Sequence, residues 1–234
     1  MQNIAIVLAG GNSTRFNSKC KLTHRLNNNL SVIQNTVSTF LYSNTIDIII
    51  IVSSSKDIRQ DISILQQTKP LFFTEGGQTR FASLLNAISC IKKDLKIDES
   101  LINLFIHDGA RPLLTDALVQ KLNQSLSIHN AVIPVTAISE TVKSVNANNI
   151  SIVASVNRES LKLAQTPQCF YMPFFEECLN LANVEKESHK ITDDASVVEL
   201  AGKAVSYIEG EKTNIKITIK DDILFANFYL SLLT

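Results

Sequence analysis

The stretch Ile4–Phe16, which reads IAIVLAGGNSTRF, decides the fold class of this chain. Its first five residues are apolar without polar alternation, which is typical of a β-strand covered on both faces in a parallel sheet. Three further runs of the same kind follow along the chain, at Ile46–Val52, Leu101–Ile106 and Ala131–Val135. The sequence therefore predicts several buried strands of one sheet.

Helical patterns lie between these apolar runs. Within Thr79–Ile91 the apolar residues recur at spacings of three and four, which places them on one face of a helix. Similar patterns occur in Val32–Leu41 and in Leu118–Leu126, the latter with Thr115 or Asp116 as its N-cap. Strand alternating with helix predicts right-handed βαβ units, and therefore an α/β fold with a doubly wound, mostly parallel sheet.

The segment from 139 to 157 has a different pattern. Residues 141–156, TVKSVNANNISIVASV, contain two short β-type runs joined by a turn-rich Asn-Ala-Asn-Asn link. This pattern predicts a hairpin or arm that projects from the sheet, and the order of helix and strand resumes after Pro167. Because no repeat, low-complexity segment or linker is visible, residues 1–234 are expected to form a single domain with this β-arm.

Composition and charge argue against several classes of protein. Hydrophobic residues make up 45% and charged residues 19%, which is ordinary for a globular protein, and the net charge of zero disfavours a general nucleic-acid binder. The four cysteines form no CxxC pair and no metal-ligand spacing, so reduced thiols are expected. No basic n-region precedes the first strand, and no stretch approaches the roughly 20 apolar residues of a membrane span. We therefore expect a soluble, cytoplasmic protein without a nucleic-acid or membrane partner.

The fold also predicts where ligands bind, because doubly wound sheets bind them beyond the carboxyl ends of their strands. The first segment at that edge contains Gly10 and Gly11, which let a ligand approach the backbone closely. Arg15, Lys19 and Lys21 follow and supply cations suited to phosphate oxygens. This donor-rich loop predicts an anion site, such as one for a polyphosphate; the alternative is an ordinary βα turn with solvated lysines.

Two further loops carry polar groups at the same edge. Glu75–Arg80 places a Gly-Gly pair before a helix, and amides at a helix start bind anions or read a base. HDGARP, residues 107–112, puts Asp108 where a divalent metal or a hydroxyl group binds, with Arg111 available to a second anionic group. The alternative is that Asp108 and Arg111 only pair with each other. His107 is expected to be a hydrogen-bonded structural residue.

The later part of the chain adds further charged residues. ITDDAS begins a helix with Asp193 and Asp194, which either cap that helix or belong to the site. Lys216 lies in Asn214–Thr218, NIKIT, an alternating segment that predicts β-like structure; a lysine in such a segment is most often a solvated strand residue.

Eight stretches, taken together and in this order, resemble the cytidylyltransferases of the nucleotide-diphosphosugar transferase superfamily. Among these, the resemblance is strongest to the 2-C-methyl-D-erythritol 4-phosphate cytidylyltransferase family of the non-mevalonate isoprenoid pathway. The matching stretches, which span nearly the whole chain, are LAGGNSTRF with Lys21, GGQTRFASL, HDGARP, PVTAISETVK, Arg158, QTPQCF, TDDAS and EGEKTNIKIT. The resemblance implies a Rossmann-like α/β fold whose protruding β-arm builds a homodimer.

The resemblance also implies a reaction. The phosphate of methylerythritol 4-phosphate attacks the α-phosphorus of CTP with the help of Mg²⁺, which gives 4-diphosphocytidyl-2-C-methyl-D-erythritol and pyrophosphate. Arg15, Lys21 and Lys216 are implied as the catalytic residues that hold the triphosphate and stabilise the transition state. Lys19 is an alternative to Lys21.

Binding roles are carried over in the same way. The cytosine and ribose are implied to contact Ala9, Gly10, Gly11, Gly77, Ser83 and Asp108. Asp108 is also implied as the metal ligand. The acceptor phosphate is implied to contact Arg111, Thr141, Arg158 and Thr166, with Arg158 reaching the neighbouring subunit's site.

Three alternative functions stay open at this point. Ribitol-5-phosphate cytidylyltransferases share the same loops and chemistry, and sugar-1-phosphate nucleotidyltransferases that use UTP or GTP share the first loop. The third alternative is a non-catalytic nucleotide-binding or regulatory protein. Because the sequence ends at Thr234, we expect no fused cyclodiphosphate synthase domain of the kind that some members of the family carry.

Overall fold

The computed structural model describes residues 1–11, 16, 21–146, 148, 150–182 and 188–233. Within these ranges the strands are β1 (Gln2–Leu8), β2 (Ile48–Val52), β3 (Leu71–Thr74), β4 (Ile102–Asp108), β5 (Ala131–Ala137), β6 (Val142–Asn146), β7 (Ser151–Val156), β8 (Lys162–Ala164), β9 (Gln168–Tyr171) and β10 (Ser206–Glu209). The α-helices are α1 (Val32–Tyr42), α2 (Lys56–Ser63), α3 (Arg80–Asp94), α4 (Asp116–Leu126), α5 (Met172–Leu181), α6 (Ala195–Leu200) and α7 (Asp221–Leu233).

The main sheet is mostly parallel, as predicted. Its strand order is β10-β5-β9-β4-β1-β2-β3, and β8 pairs with the C-terminal part of β5. β1 runs parallel to both β2 and β4, β2 runs parallel to β3, and β10 runs parallel to β5. β9 is antiparallel to its neighbours β4 and β5, and β8 is antiparallel to β5. The four long apolar runs became β1, β2, β4 and β5.

Both faces of the central strands are covered by helices. Ala5 and Val7 of β1 pack in one core with residues of α1, α4 and α7. Ile4 and Ile6 of the same strand pack in a second core with residues of α3, α5 and α6. Since alternate residues of β1 enter different apolar cores, the strand needs no polar position, which is why its sequence shows no alternation.

Side-chain caps set the starts of the predicted helices. Ser31 forms a capping box with Gln34 at the start of α1. The hydroxyl of Thr79 accepts a hydrogen bond from the Ala82 amide at 3.0 Å and begins α3. Thr115, rather than Asp116, is the N-cap of α4.

The 139–157 segment contains an antiparallel hairpin of its own, formed by β6 and β7 and separate from the main sheet. Three of its apolar side chains, those of Val145, Ile152 and Val153, are about two-thirds exposed. None of the described helices combines the length and apolar composition that crossing a bilayer requires. The three described cysteines, at 90, 169 and 178, are buried free thiols.

Candidate active site

A cavity of about 570 Å³ lies at the carboxyl ends of β1 and β4, which is the edge of the sheet predicted to bind ligands. Its walls come from the loop after β1, the loop between β3 and α3, the loop after β4 and the segment before α7. Among the described residues, Lys21, Arg80 and Lys216 bring cations to its lining and Asp108 brings a carboxylate. This arrangement is suited to an anionic ligand.

The structure brings most of the predicted nucleotide-site residues together. The predicted residues that line the cavity are Gly10, Gly11, Lys21, Gly77, Ser83, Asp108 and Lys216. Ala9 is buried beside it, with its amide donating to the Val52 carbonyl at 2.9 Å. The predictions for Arg15, as a catalytic residue, and for Lys19, as an alternative to Lys21, fall on residues outside the described ranges.

The segment that carries Lys216 differs from its prediction, because Asn214–Thr218 forms no strand. Instead of pairing with a neighbouring strand, it bonds to a loop and to side chains. The Ile217 amide donates to the Ala110 carbonyl at 2.8 Å, and the Asn214 side chain donates to the Thr166 carbonyl at 2.8 Å. These bonds hold the segment against the loop after β4 and place Lys216 at the cavity.

Asp108 is the electrostatic centre of the site. Its Oδ2 atom lies 2.9 Å from the Lys216 ammonium and 3.4 Å from Nε of Arg111, while Oδ1 lies 3.3 Å from Nε of Arg80. Burial opposes ionisation of this carboxyl, but the charges of Arg80, Lys216 and Arg111 outweigh it and lower the pKa of Asp108 well below its usual value. The predicted pairing of Asp108 with Arg111 is therefore present, together with two further cations.

Hydrogen bonds from His107 and Thr166 fix the backbone on both sides of the Asp108 side chain, at the Asp108 amide and the Arg111 carbonyl. The Arg111 carbonyl only accepts, so Nε2 of the buried His107 donates to it at 3.3 Å and Nδ1 is left as an acceptor. The Thr166 hydroxyl then donates to Nδ1 at 2.8 Å and accepts from the Asp108 amide at 3.1 Å. Burial lowers the pKa of His107 to about 3, so the ring is neutral and structural, as predicted.

The residues predicted for the acceptor phosphate do not line this cavity. Arg111 is buried and donates to the Asn214 carbonyl at 2.7 Å as well as to Asp108. Thr166 is buried in the bonds just described. Thr141 and Arg158 are exposed at the base of the hairpin, where the Arg158 guanidinium donates to the Ser139 carbonyl.

Two carboxylates that the sequence left ambiguous have separate roles. Oδ1 of Asp193 accepts from the Ser196 amide at 3.0 Å and so caps the first turn of α6. Asp194 makes no capping bond. Both of its oxygens accept from Arg80, at 2.5 and 2.7 Å.

Sequence reasoning assigned no role to Arg80, although a signal was present. Arg80 is the first residue of α3, and the first turn of this helix contains no acidic residue. The helix dipole disfavours a cation at that end, so an arginine there indicates a carboxylate partner from elsewhere in the fold. Gln165 was also missed; its side-chain amide bonds the backbone of Glu211 in both directions, at 2.8 and 3.1 Å.

A mostly parallel sheet and a cationic cavity over glycine loops define a Rossmann-like nucleotidyltransferase fold, and comparison with solved structures agrees. A crystal structure of the Francisella tularensis 2-C-methyl-D-erythritol 4-phosphate cytidylyltransferase matches this chain with a TM-score of 0.81 and 28% identity, covering 97% of this chain and 99% of the other. The chain belongs to the 2-C-methyl-D-erythritol 4-phosphate cytidylyltransferase family, IspD, whose model matches residues 3–232.

Two relatives illustrate the extent of the match. The Thermosipho africanus 2-C-methyl-D-erythritol 4-phosphate cytidylyltransferase is 31% identical over 221 residues, which cover 94% of each chain. The Pelagibacter ubique bifunctional enzyme IspD/IspF is 34% identical over 228 residues, which cover 97% of this chain but 57% of that protein. This chain thus spans little more than half the length of the bifunctional relative. The prediction of a cytidylyltransferase of isoprenoid biosynthesis is confirmed at the level of the family.

Proposed function

We propose that this cavity carries out the family's reaction, the transfer of a cytidylyl group from CTP to 2-C-methyl-D-erythritol 4-phosphate. The observation that carries the proposal is that Lys21 and Lys216, from opposite ends of the chain, line one cavity beside Asp108. A cavity lined by cations from separate segments of the chain suits a triphosphate whose α-phosphorus has to be approached by a second anion. Arg15 belongs to the same proposal.

In the proposed mechanism, an oxygen of the acceptor's phosphate forms a bond to the α-phosphorus of CTP. The bond from that phosphorus to the oxygen that bridges it to the β-phosphorus breaks, and pyrophosphate leaves with the electron pair. The nucleophile is already an anion, so the reaction needs no strong general base. The work of the protein is to bring two anions together and to stabilise negative charge on the phosphorus oxygens, which is the task of Lys21, Lys216 and Arg15.

The proposed nucleoside wall consists of the loop that contains Gly77, before α3, and of Ala9, Gly10 and Gly11 in the loop after β1. A Cβ added at Gly77 would lie 2.5 Å from the Ala82 side chain and 2.7 Å from its carbonyl carbon, so this loop packs tightly on α3. The Gly77 amide donates to the Ser83 hydroxyl at 2.9 Å, which fixes the loop on the helix. We propose that such a backbone wall favours a pyrimidine over a larger purine.

Magnesium fits this site through one protein carboxylate. The described residues contain no group of three or more His, Cys, Asp or Glu side chains that would hold a metal alone. Mg²⁺ in nucleotide sites is commonly held by one or two carboxylates and the substrate's phosphates, and Asp108 is an ionised carboxylate at the cavity. When bound there, the ion would neutralise phosphate charge; Asp108 would be its ligand and Lys216 would turn from Asp108 to the phosphates.

The acceptor and the second subunit complete the proposal. Arg111, Thr141, Arg158 and Thr166 are proposed to hold the methylerythritol phosphate, with Arg158 entering the site of a second copy of the chain. The exposed apolar side chains of the hairpin support a homodimer through this arm.

The dimer has a direct test. Val153→Lys, in the hairpin, is expected to give a monomer in light scattering and to lower activity. Ile64→Lys, at an equally exposed isoleucine that follows α2, is the matched control and should leave both unchanged. A Val153→Lys variant that stays dimeric and fully active would contradict the arm-mediated interface.

The reaction is tested by pyrophosphate release with CTP, Mg²⁺ and methylerythritol 4-phosphate. Turnover is expected with this acceptor and with CTP, but not with ribitol 5-phosphate or with UTP or GTP. Turnover with ribitol 5-phosphate alone would transfer the assignment to the other alditol. No turnover with any pair, in protein that still binds CTP, would favour a non-catalytic nucleotide-binding protein.

A further inference from the structure

We infer that Arg80, clamped by Asp194, is a positioning residue that sets the place of Asp108 and of the glycine loop for CTP. The inference rests on the proposed function, because it takes Asp108 and Gly77 to contact the nucleotide. It concerns Arg80, for which neither the motifs nor the reaction chemistry provides a role, and Asp194, for which the sequence left a helix cap and a site residue as alternatives.

The clamp is a bidentate ion pair between distant parts of the chain. Nη1 and Nη2 of Arg80 donate to the two oxygens of Asp194 at 2.5 and 2.7 Å, which is the fork geometry that arginine offers and lysine lacks. The Asp194 side chain is almost completely buried, whereas that of Arg80 is 29% exposed. Burial raises the pKa of Asp194, and the charge and hydrogen bonds of Arg80 oppose that rise, so Arg80 favours the ionised form of this carboxyl.

The same guanidinium contacts the electrostatic centre of the site. Nε of Arg80 reaches Oδ1 of Asp108, on the opposite oxygen from Lys216 and Arg111, which both contact Oδ2. Arg80 therefore pulls Asp108 from one side while the other two cations pull from the other. Asp108 already contacts the Lys216 ammonium at 2.9 Å, so a displaced Arg80 would leave that carboxylate with one cation fewer and hold Lys216 more firmly, against its proposed move to the phosphates.

Arg80 also ties the nucleoside wall to the sheet. It is the first residue of α3, directly after the loop that contains Gly77, and both the loop and Arg80 line the cavity. Asp194 stands at the start of α6, so the pair joins the beginnings of two helices beside the carboxyl end of β4. Loosening this junction would shift the wall and Asp108 together.

The variant Asp194→Asn separates positioning from simple charge. It makes the neighbourhood of the cavity more positive by one charge, so electrostatic attraction alone would make CTP bind more tightly. Positioning predicts the reverse: a KM and a calorimetric Kd for CTP with Mg²⁺ that rise by about 10-fold or more, because small displacements of positioning groups carry large costs. The KM of the acceptor is expected to rise less than that of CTP, because its proposed contacts Thr141 and Arg158 lie at the base of the hairpin, while Arg111 and Thr166 contact Asp108.

A charge-neutral double variant keeps the inference testable if the single variant unfolds. Arg80→Gln with Asp194→Asn leaves neither partner as an unpaired buried charge, and Asp108 keeps Lys216 and Arg111. Its unfolding midpoint should lie close to that of wild type, while the weakened CTP binding persists. The control is Lys92→Gln, which breaks an ion pair with Glu176 at the other end of α3 and should leave CTP binding unchanged.

The outcomes are distinguishable from failure of the proposed function. Wild-type protein that releases no pyrophosphate would overturn that function, while calorimetry with CTP would still test the clamp. An Asp194→Asn variant that binds CTP as well as wild type, or a double variant that regains wild-type affinity, would overturn the positioning role. Weaker CTP binding in both, with an unchanged Lys92→Gln control, would support it.

Discussion

Replacement of His107 by glutamine is expected to remove a specific acid sensitivity from the fold. The imidazole is fully buried between the Arg111 carbonyl and the Thr166 hydroxyl, and it has to be neutral to accept from that hydroxyl. Glutamine keeps one donor and one acceptor for these two partners but does not gain a proton at moderate acidity. His107→Gln therefore keeps the hydrogen bonds that support Asp108 but removes the group at position 107 that can gain a proton.

The magnitude follows from the two pKa values of His107. Burial lowers the pKa in the folded protein to about 3, whereas the unfolded chain has the ordinary value of 6.5. The folded pKa is depressed, so this histidine's contribution to stability is complete above pH 6.5 and is lost as the pH falls towards about 3. Each pH unit in that window is worth about 1.4 kcal/mol, so wild type should lose about 2 kcal/mol through His107 between pH 7.5 and pH 5.

The assay is urea unfolding at the two pH values for wild type, His107→Gln and a control, His129→Gln, at an exposed histidine. His107→Gln is expected to be less stable than wild type at pH 7.5, because the ring also packs edge-on against Phe40. At pH 5 that difference should shrink by about 2 kcal/mol or reverse. If the difference in unfolding free energy between His107→Gln and wild type stays constant from pH 7.5 to 5, the reasoning that His107 is held neutral by burial is wrong.

Three further predictions concern the walls of the cavity. Lys216→Ala should lower kcat by about 100-fold or more, because the proposed transition state loses a charged donor, while Lys220→Ala, at an exposed lysine nearby, should not; pyrophosphate release checks both. Gly77→Ala should lower the free energy of unfolding by about 1–3 kcal/mol in urea melts, because the added carbon meets α3 at 2.5 Å. Gly11→Ala, where an added carbon meets nothing within 4 Å, should leave that free energy unchanged. Gln165→Leu should lower the free energy of unfolding by about 1–3 kcal/mol and should lower kcat, because the Glu211 backbone, which leads to Lys216, loses its bonds to the Gln165 side chain. A folded variant with the kcat of wild type would show that these bonds do not help to place Lys216.

The parts of the fold that the sequence predicted are those in which local pattern and tertiary burial agree. β1 and β4 are long apolar strands that helices cover on both faces, and α3 shows its buried face at helical spacing. β8 and β10 escaped prediction because they have three and four residues and alternate or exposed side chains, too little for a periodic signal.

The site residues that could be predicted are those whose role is recognisable within a single loop. Asp108 and the glycine loops were visible because a turn after a buried strand is a known ligand edge. The role of Arg80 was not visible because its main partner, Asp194, is 114 residues away in sequence. The prediction of β-like structure for Asn214–Thr218 is wrong because alternation alone does not provide a neighbouring strand. The segment bonds instead to the Ala110 carbonyl and to buried groups around Asn214.

The charges around Asp108 come from widely separated parts of the chain, and this has a consequence for biosynthesis. A nascent chain that has left the ribosome as far as α4 already carries Arg80, Asp108 and Arg111, but it still lacks Asp194 and Lys216. The ionic balance of the pocket is reached only when the last segment before α7 has emerged. Nucleotide should therefore stabilise a chain that includes Lys216 and leave shorter translation intermediates unprotected.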